Sequence, residues 1–254
     1  MSDLPASALT ASELDRYGVQ LAMPEWGSAA QARLLDANAF VVGAGALGGP
    51  VGAYLAGAGV GRIAVIDGGS VEVPGLHRQF LHYTPEVGIG KADSVAAKLA
   101  LLNPATHVDP FPAYVDAGNV DLVLDGADVV IDTTNDSAVR ELIGDSCVSS
   151  QTPLIAAAAD ALGGRVAVYV PRESPCIGCA FAGDRRPGAE SLGPVSGVLG
   201  SLQALVALKL LAGLDDAHAG QMIWFDGRDL SFRRERFGRR PGCTCADGAG
   251  PCDV

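Results

Sequence analysis

The sequence predicts a doubly wound, Rossmann-like α/β fold around a mostly parallel sheet, with a late antiparallel extension. Three observations carry that prediction. Short apolar runs alternate with segments of helical length, the pattern of parallel strands covered on both faces. The run Val129-Val130-Ile131 is apolar without alternation, as a doubly buried central strand requires. The stretch Phe40–Gly49 joins an apolar strand to a small-residue helix through Gly43-Ala44-Gly45-Ala46-Leu47-Gly48, the glycine pattern of a nucleotide-binding turn.

In chain order, residues 1–38 read as a helical arm of two helices, with Ser12 (followed by Asp15) and Ser28 as candidate N-caps. The sheet does not need this arm, so Arg16-Tyr17 is expected to serve packing or a dimer contact. Strands are expected at 39–42, 62–66, 107–114, 128–132, 153–157 and 165–170, and helices at 46–58, 91–102, 136–149 and 197–212. Residues 171–195 are rich in Pro and Gly without a period, and loops of that length are usually functional or mobile. After Gly220 the pattern changes, and 222–225 with 230–237 read as an antiparallel pair. Residues 39–254 are thus expected to fold as one domain, long enough to bury a large core.

A formal net charge of −11 argues against nucleic acid or an anionic membrane as partner, because phosphates would be repelled. No basic segment followed by an apolar core and a cleavage site opens the chain. The apolar stretch Gly197–Leu214 is interrupted by Ser201, Gln203 and Lys209, so it reads as a buried helix and not a membrane span. A cytoplasmic protein is expected. In that compartment six cysteines point to metal or redox chemistry before disulfides.

The glycine turn assigns roles by position. Gly43 allows the tight turn, Gly45 lets backbone amides approach a phosphate, and Gly48 permits close packing of helix on sheet. The helix N-terminus behind Ala46 favours negative charge. The strand Arg62–Ile66 ends in Asp67, where a carboxylate reaches ribose hydroxyls. Beyond it, Arg78 and Lys91 are the cations best placed to neutralise a polyphosphate, which a plain NAD site would not need. His77 and His82 read as structural. Cys176-Ile177-Gly178-Cys179 and Cys243-Thr244-Cys245 are two thiol pairs far apart in sequence, the arrangement of a closed tetrahedral zinc site. Cys252 is an alternative to Cys245 as fourth ligand, and a redox dithiol is the competing reading. Cys147 lies on a predicted helix and reads as buried and inert.

With these pieces in place the chain resembles the ThiF/MoeB/HesA family, relatives of the ubiquitin-activating enzymes. The resemblance runs from Arg16-Tyr17 to the terminal cysteines. It rests on GAGALG, Val65-Ile66-Asp67, LHRQFLH with VGIGK, Asn103-Pro104, and Val130–Thr134 leading to Arg140. CIGC, GVLGSLQALVALKLL and PGCTC complete it. The resemblance implies ATP-dependent adenylation of the C-terminal carboxylate of a small ubiquitin-like carrier protein or peptide, with release of pyrophosphate. Arg78 and Lys91 would stabilise the transferring phosphate, Gln79 would position it, and Asp67 would hold the ribose. Asn135 and Asp136 stand at the family's magnesium-linked segment. Magnesium would accompany ATP, and the chain would be a homodimer.

Three positions depart from the family pattern. Val19 replaces an arginine of the arm, Gly75 stands where the loop has asparagine, and Thr134-Asn135-Asp136 replaces T-D-N. These changes define the alternative of a catalytically impaired, partner-binding scaffold. An NAD-dependent oxidoreductase is the second alternative, suggested by the glycine turn and Asp67 alone. No cysteine lies between Cys179 and Cys243, so an activated product would remain an adenylate until another nucleophile takes it.

Overall fold

The computed structural model of the chain describes residues 9–183, 190–214, 218–243 and 245. The arm comes first: α1 (Ala11–Leu21) and α2 (Gly27–Asp36). Thr10, and not Ser12, caps α1. Its hydroxyl accepts from the Glu13 amide while the Glu13 carboxylate accepts from the Thr10 amide at 2.6 Å, closing a capping box. Ser28 lies inside α2, whose N-cap is Trp26. The arm is pinned by its own motif residues. Tyr17 is 2% exposed, and its hydroxyl accepts from Asn103 Nδ2 at 2.9 Å. Gln20 Nε2 donates to the Ala58 carbonyl at 2.8 Å. Asn103, the other partner, also donates to the Ala56 carbonyl at 2.7 Å, so the Arg16-Tyr17 and Asn103-Pro104 segments meet as one packing joint.

The parallel half follows: β1 (Asn38–Val42), α3 (Gly48–Ala58), β2 (Arg62–Ile66), α4 (Lys91–Leu102), β3 (His107–Phe111), α5 (Val120–Val123), β4 (Val129–Asp132) and α6 (Ser137–Ser150). Then come β5 (Leu154–Asp160), β6 (Gly163–Tyr169), α7 (Ile177–Ala180), α8 (Gly193–Ala212), β7 (Gln221–Asp226) and β8 (Ser231–Arg236). Among the described residues these strands form an eight-stranded sheet in the order β3-β2-β1-β4-β5-β6-β7-β8. Pairing is parallel from β3 to β5 and antiparallel from β5 to β8. The antiparallel part therefore begins one strand earlier than the sequence suggests, at a hairpin over Ala161-Leu162. Strand β3 stops at Phe111, short of the expected 114. It is the sheet edge, where Pro110 is tolerated.

The fully buried strand β4 lies between β1 and β5, as its unbroken apolar run requires. Two apolar cores cover the two faces, one under α3, α4 and α8 and the other under α5 and α6. Among the described residues α8 is long and apolar enough to cross a membrane by length and composition, but it packs against α3, α2 and β5. It also buries Gln203, whose Nε2 donates to the carbonyls of Asp132 and Ile155 at 2.8 and 3.2 Å. On the outer edge every residue of β8 is exposed. Residues 228–240 gather six arginines against two acidic residues. Inward from this edge an arginine–aromatic ladder runs Arg233, Trp224, Arg165, Phe181, Arg140, with each guanidinium 4.7–5.4 Å from the next ring centre.

Candidate active site

The carboxyl ends of β4, β1 and β2, with the loop after β3, enclose a cavity of about 530 Å³, within the range of small-molecule sites. Ligands of open α/β sheets bind at this rim. Its walls bring together Gly43, Gly45, Ala46, Asp67, Arg78, Gln79, Lys91, Asn135 and Asp136, which lie up to 93 positions apart in sequence.

The glycine turn has the shape its sequence implies. Gly43 has φ 103°, and a β carbon there would lie 2.7 Å from Thr133 Oγ1. Gly48 does not line the cavity. A β carbon on it would fall 2.0 Å from the Gly43 carbonyl, so this glycine lets the turn close on itself. Gly45 faces open space, with only Gln79 Nε2 within 4 Å of its built β carbon. Among the described residues no side chain caps α3, yet the Gly49 amide donates to the Gly45 carbonyl at 3.0 Å, the Val51 amide to the Leu47 carbonyl at 3.4 Å, and Pro50 has no amide, so the turn closes largely on itself. Asp67 is fixed from two sides: Oδ2 accepts from the Ala44 amide at 2.8 Å and Oδ1 from the Gly69 amide at 2.7 Å.

His82 braces the turn from behind. It is 4% exposed. Its Nε2 donates to the Ala44 carbonyl at 2.9 Å, and its Nδ1 accepts from Ser94 Oγ at 2.8 Å. The structural reading of this histidine is borne out. Burial holds its pKa below the ordinary 6.5, and the nearby Lys98 and Lys91 act in the same direction. The ring is therefore neutral in the fold, and protonation favours the unfolded chain. Its contribution is complete above the unfolded value and is lost as pH falls through 6.5 toward the folded value. Thermal unfolding between about pH 7.5 and 5 should show a falling Tm for wild type and a flatter profile for His82→Gln.

Arg78 keeps 17% of its side chain exposed and pairs with Glu190, in the crossover segment 171–195 that leads into α8, a partner no sequence signal announced. Its Nε is buried without a hydrogen-bond partner among the described residues. Gly75 supports this arrangement: a β carbon there would lie 2.9 Å from Cδ, Nε2 and Oε1 of Gln79. With no β carbon at position 75, the Gln79 amide folds back over this turn. At the other end Asp132 is wholly buried, accepting from Arg140 Nε at 2.8 Å and from Thr134 Oγ1 at 2.6 Å. Asp136 caps α6, its Oδ1 accepting from the amides of Ala138 and Val139 at 2.8 and 3.3 Å. The inverted Asn-Asp pair therefore keeps a cap on this helix and leaves Asp136 Oδ2 for a cation. Val19 is 89% exposed on α1 and does not line the cavity. Thr133, Thr134, Tyr114, Ser191 and Ser196 also line it; sequence reasoning did not single them out as cavity residues.

A second centre lies beside the crossover. The sulfurs of Cys176, Cys179, Cys243 and Cys245 lie within 4.8 Å of one another, and all four residues are buried. The Cys176 sulfur is 3.7 Å from that of Cys179 and 3.8 Å from that of Cys243. Four sulfurs about 2.3 Å from a central zinc would be roughly 3.8 Å apart. Backbone amides of Cys176, Arg240 and Cys245 donate to the sulfurs of Cys245, Cys179 and Cys243 at 3.2, 3.4 and 3.5 Å. The sulfur spacing suits zinc, and Cys243, which is disulfide-bonded in this structure, would have to be reduced to serve as a ligand; the alternative ligand Cys252 lies outside the described residues. Cys147 is 1% exposed, and burial raises its thiol pKa, in keeping with an inert role.

A family model described as the ThiF family matches residues 17–245. The chain is 37% identical over 248 residues to the adenylyltransferase and sulfurtransferase MOCS3 of Culex quinquefasciatus, covering 94% of this chain and 57% of that protein. It is 42% identical over 251 residues to the mouse protein of that name, covering 94% of this chain and 54% of that one. The chain thus spans little more than half the length of these relatives. The SAMP-activating enzyme E1 of Haloferax volcanii is 37% identical over 249 residues, covering 95% of this chain and 92% of that protein. In fold the chain is similar to E. coli MccB in complex with MccA, with TM-score 0.81 and 20% identity over 96% of this chain and 76% of that one. PaaA gives TM-score 0.77 and 22% identity over 93% of this chain and 77% of that one.

Proposed function

The chain belongs to the ThiF family, and from that premise we propose that it is an adenylyltransferase acting on the C-terminal carboxylate of a small ubiquitin-like sulfur carrier or a peptide. The observation that carries this reading is the convergence of Arg78, Lys91 and Asp67 with the glycine turn on one cavity. A carboxylate oxygen of the partner would attack the α-phosphorus of ATP. One oxygen–phosphorus bond forms, the bond to the β-phosphate bridge breaks, and pyrophosphate leaves. Both reactants are anions, so the step needs fixed positive charge where negative charge develops. Arg78 and Lys91 supply it, Gln79 orients the phosphates, and Asp67 holds the ribose. Magnesium would come with the triphosphate and screen it, and Asp136 is the exposed carboxylate at the turn after β4 that could help hold it.

The same reading takes Cys176, Cys179, Cys243 and Cys245 as zinc ligands with a structural task, residues 1–38 as an arm on the 39–254 domain, and the chain as a homodimer. ATP–pyrophosphate exchange tests the reaction. Carriers with a free C-terminus should support exchange, and the same carriers amidated at the C-terminus should not. Absence of exchange together with absence of ATP binding would overturn the proposal.

A further inference from the structure

Resting on that nucleotide reading, we propose that Tyr114 is the stacking platform for the nucleotide base. The sheet order sets where each part of a nucleotide must lie. Its phosphates face the turn after β1, and the ribose carboxylate Asp67 follows β2, one strand further out. The base must then lie one strand beyond, where Tyr114 follows β3. Neighbouring strands are about 4.8 Å apart, so β1 and β3 are separated by roughly 10 Å, the scale of the span from α-phosphate across ribose to base.

The local geometry agrees with this placement. Tyr114 lines the cavity yet is 73% exposed, so the core does not account for its ring. The ring lies against Gly68, where a built β carbon would be 2.6 Å from Cδ2. The phenol oxygen and Lys91 Nζ each lie 3.6 Å from the β-carbon position of Gly69, and Asp67 Oδ1 lies 3.1 Å from it. The aromatic, the cation and the carboxylate therefore meet at one point on the rim. The loop that carries Tyr114 is also held in place. Asn119 Nδ2 donates to the Tyr114 carbonyl at 2.8 Å, and the Asp116 amide donates to Asn119 Oδ1 at 2.9 Å. A held, exposed aromatic beside the ribose position offers a face that any base can cover, and one such stack is worth about 1–3 kcal/mol.

Titration calorimetry of the full chain with ATP and, in parallel, with inorganic tripolyphosphate separates the base from the phosphates. Tyr114→Ala should weaken ATP roughly 5- to 150-fold and leave tripolyphosphate unchanged, while Tyr114→Phe should stay near wild type. Equal loss for both ligands, or unchanged ATP affinity in Tyr114→Ala, overturns the stacking role and leaves the adenylation reading intact. Wild type that binds tripolyphosphate but not ATP overturns both.

Discussion

Arg78→Ala is expected to lower the rate of ATP–pyrophosphate exchange by about 10²–10³-fold, the usual scale for removing one preorganised donor from a developing charge. The structure explains why so much rests on one side chain. Its stem is largely buried, its Nε has no partner among the described residues, and it opens on the cavity beside Gln79. Its ion pair reaches an 82% exposed carboxylate, Glu190. A pair of that kind is worth at most about 1 kcal/mol, so Glu190→Gln should change exchange by no more than roughly fivefold. Arg78→Lys restores charge without the planar fork and should recover only part of the loss. A decrease smaller than about tenfold in Arg78→Ala would remove the residue from the centre of the chemistry.

Cys176→Ser is expected to have the largest effect on stability. Wild type should carry about one zinc per chain by elemental analysis, and the variant should carry none. Structural zinc contributes roughly 10–16 kcal/mol of apparent binding energy in small peptides. Even a fraction of that, about 4 kcal/mol, would lower Tm by about 10 °C in a domain of this size. A chelator should reproduce the shift in wild type. Metal-free wild type whose Tm ignores chelator and falls only on reduction would favour the redox reading. The cluster ties residues near 243 to a short turn at 176–179 that has little helix of its own, so the loss should be felt along the whole crossover.

Much of the fold and of the rim is legible in the residues alone. Strand β2 and helix α4 have the boundaries the pattern predicts, because each is bounded by its own local signals. The glycine turn, Asp67, Arg78 and Lys91 can be read because each carries a chemistry with few substitutes. What escapes depends on contacts between distant segments. Thr10 and Ser12 each stand three residues before an acid, and the winner is decided by which helix start buries Tyr17 against Asn103. Helix α7 is four residues long and has no period to detect. Tyr114 becomes notable only once β3 is known to flank β2. Glu190 reaches Arg78 across more than a hundred residues, and nothing in its surroundings marks it.

The arginine-rich outer edge gives this molecule a sign that depends on distance. From far off the chain is an anion, by virtue of its −11 formal charge. Fields decay over about 8 Å at physiological ionic strength, so a body close to β8 meets its six neighbouring arginines and little of the distant acid. Dilute buffer lengthens the decay and lets the overall negative charge dominate further in. Added salt shortens it and isolates the cationic rim.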